Sequence, residues 1–113
     1  MSRVLPVSAE PEVTVHHWAI VDMPGVGCRL VGYRADSDEG RMTSPLVEID
    51  VHGGEVTTGS GRRYLLRGPE DRASAARVVA AYSAKRGGLP AGTRFVDIAQ
   101  VAIELAKPPA RFS

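Results

Sequence analysis

The chain has 113 residues, of which 43% are hydrophobic and 24% charged, and its net charge is +1. That composition fits one ordered globular domain and excludes a disordered or collagen-like chain, while a single cysteine, Cys28, excludes an internal disulfide. No apolar run approaches the roughly 20 residues that span a bilayer and the N-terminus lacks a signal-peptide core, so a soluble, cytoplasmic protein with no membrane contact is expected.

The small net charge hides a segregation. Residues 1–61 carry four Arg against nine Asp or Glu, a balance of −5. Residues 62–94 carry eight basic side chains against Glu70 and Asp71, a balance of +6. Such separation creates opposed surface potentials unless the fold interleaves the two segments.

In chain order, residues 1–11 hold Pro6 and Pro11 and no sustained period, which predicts a loose N-terminal arm. Glu12 to Val21 is β-branched and reads as the first strand. Strict alternation puts Val13, Val15, Ala19 and Val21 on one face and Trp18 and Ile20 on the other. Pro24 and Gly25 suit the centre of a type II turn. Val26 to Arg34 reads as an antiparallel second strand, with Gly27 and Gly32 marking strong curvature or close backbone approach. Ala35 to Met42 is a polar loop.

Thr43 to Leu66 reads as a hairpin. Val47, Ile49 and Val51 alternate with Glu48 and Asp50, the pattern of a half-buried strand. Gly53-Gly54 predicts a type I′ turn that sets Val51 near Val56 and Asp50 near Thr57. Gly59-Ser60-Gly61 reads as a bulge or kink within the return strand.

Gly68-Pro69-Glu70-Asp71 starts a helix, with proline at the first helical position and acids in the first turn. The helix runs to about Arg86, presents Ala75, Ala76, Val79 and Tyr82 on one face, and is capped by Gly87-Gly88. A second helix is expected from about Arg94 to Lys107 with Thr93 as N-cap. Pro108-Pro109 ends it before a tail at 108–113. The expectation is a single α+β domain over 1–113: a small curved antiparallel sheet of four or five strands across 12–67, then two C-terminal helices across 68–107.

Chemistry-bearing patterns are sparse. His16 and His17 are neighbours on a strand and so point to opposite faces, which is wrong for chelating one ion. The acidic run from Asp36 puts Arg41 and Val47 where a calcium loop needs Gly and Glu. Gly59-Ser60-Gly61-Arg62 lacks the Lys-Ser or Lys-Thr of a phosphate loop. No nucleophile elbow accompanies any serine or Cys28. These readings imply no cofactor, no metal and no enzyme.

The basic run is more specific. Arg62, Arg63, Arg67, Arg72, Arg77, Lys85, Arg86 and Arg94 fall within thirty-three residues. Arginine presents a planar fork to carboxylate or phosphate, so Arg62, Arg63, Arg67, Arg77 and Arg86 are the candidate partner-binding or phosphate-binding residues. The competing reading is that about half of the run pairs with Glu48, Glu55, Glu70 and Asp71. A helix-turn-helix is disfavoured, because the connector Gly87 to Gly92 is long and the second helix offers only Gln100 for base edges.

The span GRMTSPLVEIDVHGGEVTTGSGRRYLLRG resembles a pattern in short proteins of bacterial phages and mobile elements. The matching residues are Gly40, Ser44, Thr58, Ser60, Gly61, Tyr64 and Leu66, and the span covers about a quarter of the chain. The resemblance implies small accessory proteins that act by binding, including anti-CRISPR inhibitors of host defence, and carries no catalytic residue over. The resulting expectation is a non-enzymatic binding module that inhibits or modulates a host protein complex. The alternative is nucleic-acid binding or regulation through residues 62–94. Homo-oligomer formation is compatible with either.

Overall fold

The computed structural model describes residues 5–107. In chain order the elements are β1 (Glu12–Met23), β2 (Gly27–Arg34), β3 (Gly40–Asp50), β4 (Glu55–Thr58), β5 (Arg63–Arg67), α1 (Arg72–Arg86), β6 (Arg94–Val96) and α2 (Ile98–Ala106). The α+β class and the curved, mostly antiparallel sheet stand as the sequence implies. Its closure does not follow from the sequence pattern. β1 to β5 pair as an antiparallel meander, and β5 then pairs with β1, Val13 opposite Tyr64 and Val15 opposite Leu66. An odd number of meandering strands brings first and last strands in the same direction. The closing ladder is therefore parallel, and the five strands form a ring that leaves only the second half of β1 open along that edge.

Side chains from all five ring strands meet inside: Val13, Val15, Trp18 and Ile20 of β1 with Leu30, Leu46, Val56 and Tyr64. Outside, Ala19, Val21 and Met23 pack with Val31 and with Ala75 of α1. β1 therefore changes faces midway, contrary to strict alternation. His17 has φ +50°, and the pairing with β2 slips between His16 and Ala19. One extra residue shifts the parity, so Trp18 and Ile20 join Val13 and Val15 inside while Ala19 and Val21 turn outward.

A second bulge corrects the hairpin. The β3–β4 register slips between Leu46 and Glu48, burying Leu46 and leaving Val47 exposed. Asp50 faces Glu55 and Ile49 faces Val56, so the loop is four residues, Val51 to Gly54, and not a two-residue type I′ turn. The Asp50 carboxylate accepts the Gly53 N–H at 2.9 Å, a local side-chain bond within the longer loop. Gly54 alone of the pair has positive φ, +62°. Gly59-Ser60-Gly61 is a true turn, closed by Gly61 N–H on Thr58 O at 2.9 Å, and it opens a separate strand, β5.

The helical region also differs from expectation. Asp71 is the N-cap of α1, so Pro69 and Glu70 precede the helix. Val78 replaces Ala76 on the packed face, and Gly87 in the left-handed region ends the helix. Arg94–Val96 is a strand, since Arg-Phe-Val adds to the edge of β1 at Asp22, Val21 and Ile20. α2 starts only after Asp97. Thr93 Oγ1 donates to Pro90 O at 2.7 Å and does not cap a helix. The tail beyond Lys107 lies outside the described residues.

The two ends of the ring are closed differently. Cys28 lies near the start of β2 and Ile49 near the end of β3, and there α2 adds Ile98 and Val101 to the inner cluster. At the other end the N-terminal arm is tied down, not loose over residues 5–11. Arg34 grips the Glu10 carboxylate through two bonds of 2.7 and 2.8 Å. Arg62 donates to the carbonyls of Leu5 and Glu10, and Arg63 N–H to Pro11 O.

Two predictions follow from this packing. A Cβ on Gly32 would lie 2.5 Å from Val15 Cγ1 and 3.2 Å from Trp18 Cα, against the β1 bulge. Gly32→Ala should destabilise by about 1–3 kcal/mol, the usual cost of overpacking, read in denaturant melts. The second concerns acid. The Arg34 hydrogen bonds, with the charges of Arg34, Arg41 and Arg62, hold the Glu10 carboxyl below its ordinary value despite opposing desolvation. A depressed carboxylate contributes stability above its unfolded pKa and loses it as pH falls through the folded one. Glu10→Gln should therefore flatten the acid limb of melting temperature against pH below about pH 4, the ordinary glutamate range; a slope equal to wild type would refute the arm's role.

Candidate functional site

The β1 bulge builds the site. His17 in the left-handed region swings its ring beside that of His16, centroids 4.6 Å apart, so the two imidazoles share one side of the strand. Opposite faces would have been the outcome of an unbroken strand. His16 Nε2 donates to Asp38 Oδ1 at 2.7 Å, and His17 Nδ1 donates to Asp71 Oδ2 at 3.0 Å. An ionised carboxylate only accepts, which fixes the proton on each of those ring nitrogens. Asp38 also has positive φ, +56°, in the turn between β2 and β3.

The same bulge seats the start of α1. Asp71 N–H donates to Trp18 O at 2.8 Å, and Trp18 Nε1 donates to Gly68 O at 3.0 Å. The Asp71 carboxylate accepts the N–H and the hydroxyl of Ser74 at 3.0 and 2.7 Å. Those bonds, and then the one from His17, hold the Asp71 carboxyl below the usual range.

Around this junction runs a groove. A depression of about 560 Å³ is walled by His16, His17, Arg67 and the Gly68–Asp71 segment. It adjoins at His17 a second of about 340 Å³, walled also by Tyr33, Asp38 and Arg77. Tyr33 and Arg77 lead on to a third of about 360 Å³, bounded by Met42, Val78, Tyr82 and Lys85. Among the described residues, Arg67, Arg77 and Lys85 form no ion pair with any carboxylate.

The five arginines singled out in the sequence fall into different roles. Arg67 and Arg77 are exposed on the groove. Arg63 pairs with Glu12 at 3.0 Å and Glu55 at 3.3 Å. Arg86 stacks over the Tyr82 ring at 4.8 Å. Arg62 is only 4% exposed and its guanidinium is taken up by backbone carbonyls of the arm, so with the arm in place it is covered. Of the remaining run, Arg72 pairs with Glu70 at 3.0 Å. The sequence pattern placed Lys85 in the basic run but not among the five candidates, and it put the two histidines on opposite faces of a strand. Their signal was hidden because only a bulge brings adjacent strand residues to one side.

Little here is arranged for nucleophilic chemistry. Burial, reinforced by the Asp22 carboxylate, pushes the Cys28 thiol up, away from the thiolate. No group of three His, Cys, Asp or Glu side chains able to hold a metal ion occurs among the described residues. No described helix is long and apolar enough to cross a membrane. Comparison with known proteins finds no match: no family model, no curated protein and no solved structure is similar to this chain.

Left-handed backbone costs an L-residue roughly 1–2 kcal/mol, which glycine avoids. His17→Gly should therefore be more stable than His17→Ala by about 1 kcal/mol, although both lose the imidazole; equal melts would remove the bulge from the argument. Asp71→Ala should lower the melting temperature and Asp71→Ser should recover most of the loss, because serine retains the cap on the Ser74 amide without the charge.

Proposed function

We propose that the protein is a non-enzymatic binding module that holds an acidic segment of a protein partner in the groove between the β1 bulge and α1. The observation that carries this reading is the line of Arg67, Arg77 and Lys85 along three adjoining depressions, none of them ion-paired with a carboxylate among the described residues. Asp38, Glu70 and Asp71 share the wall but are engaged, Glu70 with Arg72 and the two aspartates with His16 and His17, so the three cations are left to speed the approach of an oppositely charged partner. Met42, Val78 and Tyr82 add apolar contact at the α1 end. The resemblance of the hairpin to phage and mobile-element proteins suggests the class of partner, a host complex such as a defence assembly.

Nucleic acid is the competing ligand. Sequence-tolerant single-strand binding draws on exposed aromatic faces beside the cations. Tyr64 is 3% exposed inside the ring, and Tyr82 is half-buried with Arg86 stacked over its ring at 4.8 Å. Tyr33 is half-buried, with its hydroxyl donated to Ser74 O at 3.1 Å. These placements favour a protein partner.

The test is a tagged pull-down from bacterial lysate with wild type and an Arg67→Glu/Arg77→Glu variant, alongside anisotropy with labelled single- and double-stranded oligonucleotides at low salt. Wild type should recover a defined partner, the charge-reversed variant should lose it with an unchanged melt, and oligonucleotides should bind neither. Equal recovery by the two proteins, or salt-sensitive oligonucleotide binding abolished by the same reversals, would overturn the reading.

A further inference from the structure

The end of the ring under the N-terminal arm carries more positive charge than the fold neutralises. Along β2 the inward positions are Leu30, Gly32 and Arg34, and along β3 they are Arg41 and Thr43. In the β5 region they are Arg62 and Tyr64. Three arginines from three neighbouring stretches of chain thus converge on one mouth. Glu10 of the arm lies among them, at 2.7 and 2.8 Å from Arg34 and 3.9 Å from Arg41.

One carboxylate does not satisfy this set. Arg34 is shared between Glu10 and Asp36. Arg62 is occupied by the carbonyls of Leu5 and Glu10. Arg41, with a side chain 7% exposed, keeps a buried Nη1 that has no hydrogen-bond partner among the described residues. A buried charged donor left unmet is costly, and the more so in low dielectric. Three guanidinium groups face two carboxylates, leaving one positive charge over. Glu12, on the rim, is paired with Arg63 at 3.0 Å and does not supply the deficit.

A cleft of about 450 Å³ opens directly on the Glu10–Arg34–Asp36 contact, with Arg67 and Glu12 on its wall; Arg41 and Arg62 are not part of that wall and are reached only past Glu10. A ligand entering there meets the pair that the arm makes. Replacing the Glu10 carboxylate by a phosphate dianion adds one negative charge and a third acceptor oxygen, which cancels the surplus and reaches Arg41.

We propose that the arginine-lined mouth of the ring is a phosphate-monoester site, held closed by Glu10 acting as a tethered stand-in carboxylate. The arm is then a strap whose release uncovers Arg34, Arg41 and Arg62 together. The cleft shares Arg67 with the wall of the acidic-partner groove, but Arg34, Arg41 and Arg62 do not line that groove, so the proposal stands or falls without it.

The probe is inorganic phosphate, titrated calorimetrically into the full chain at constant ionic strength, with acetate as the carboxylate control. A self-ligand reduces apparent affinity by the fraction of protein left open, so Glu10→Gln should bind phosphate about tenfold more tightly than wild type. Adding Arg41→Met to Glu10→Gln should abolish the gain, and acetate should bind Glu10→Gln more weakly than phosphate does. Equal phosphate affinity in wild type and Glu10→Gln, a gain that survives Arg41→Met, or acetate binding as tight as phosphate would each overturn the proposal. Wild type supplies an independent reading should the variants unfold: phosphate, and not chloride, should shift the NMR signals of the Glu10 amide and the Arg41 guanidinium, and unmoved signals would refute the site.

Discussion

The bulge at His17 is the constraint on which the rest of the structure depends. β1 must pair along both of its edges, with β2 on one side and with β5 and then β6 on the other. β5 occupies that second edge from Glu12 to His16, and β6 occupies it from Ile20 to Asp22. The residues between them are where the chain must leave the sheet to begin α1. A regular strand would present a bare edge there, with backbone groups unpaired. The bulge instead turns Trp18 O toward the Asp71 amide and the Trp18 indole toward Gly68 O. The cost is a histidine in left-handed backbone, and the return is a sheet whose two halves bury opposite faces. The first half fills the ring and the second half lies under α1.

That one irregularity also makes the electrostatic surface. It brings His16 and His17 together, ties each to a carboxylate from a different element, and leaves Arg67 and Arg77 flanking the junction. The charge segregation of the sequence is only partly preserved in space. Arg63 and Arg72 find carboxylates close by, as a hairpin neighbour and an N-terminal helix neighbour respectively. Exposed pairs of this kind contribute little stability, but they remove positive charge from the surface. What remains is a narrower line of cations than the sequence count suggests.

Arginine has a second use at the mouth of the ring. A five-stranded ring has little room inside, and its ends need closing. At one end hydrophobic side chains of α2 do this. At the other, long arginines reach inward and bond to the arm, with apolar stems that pack against the core while the guanidinium groups meet carbonyls and Glu10. The two closures differ in kind. The apolar one is indifferent to pH, whereas the polar one depends on an ionised glutamate.

By itself the sequence determined the class of the fold, the turn at Pro24-Gly25, the helix from the Asp71 region to Gly87, and the assignment of β1 and β2. Each rests on local chemistry: β-branched runs, a proline and glycine fitted to their dihedrals, and a left-handed cap. It also showed the arginine density of residues 62–94, a composition signal that needs no geometry. Tertiary structure alone decided the rest. Bulges at His17 and between Leu46 and Glu48 changed which residues are inside, because a single inserted residue reverses every later side chain of a strand and leaves no mark in the hydrophobic pattern. Arg94–Val96 became a strand because an open edge of β1 lay beside it, a non-local reward that overrode a helical stripe. Arg62 became an internal strut because its position at the start of β5 points it into the ring, and whether an arginine faces water or core is settled by closure of the sheet, not by its neighbours in the chain.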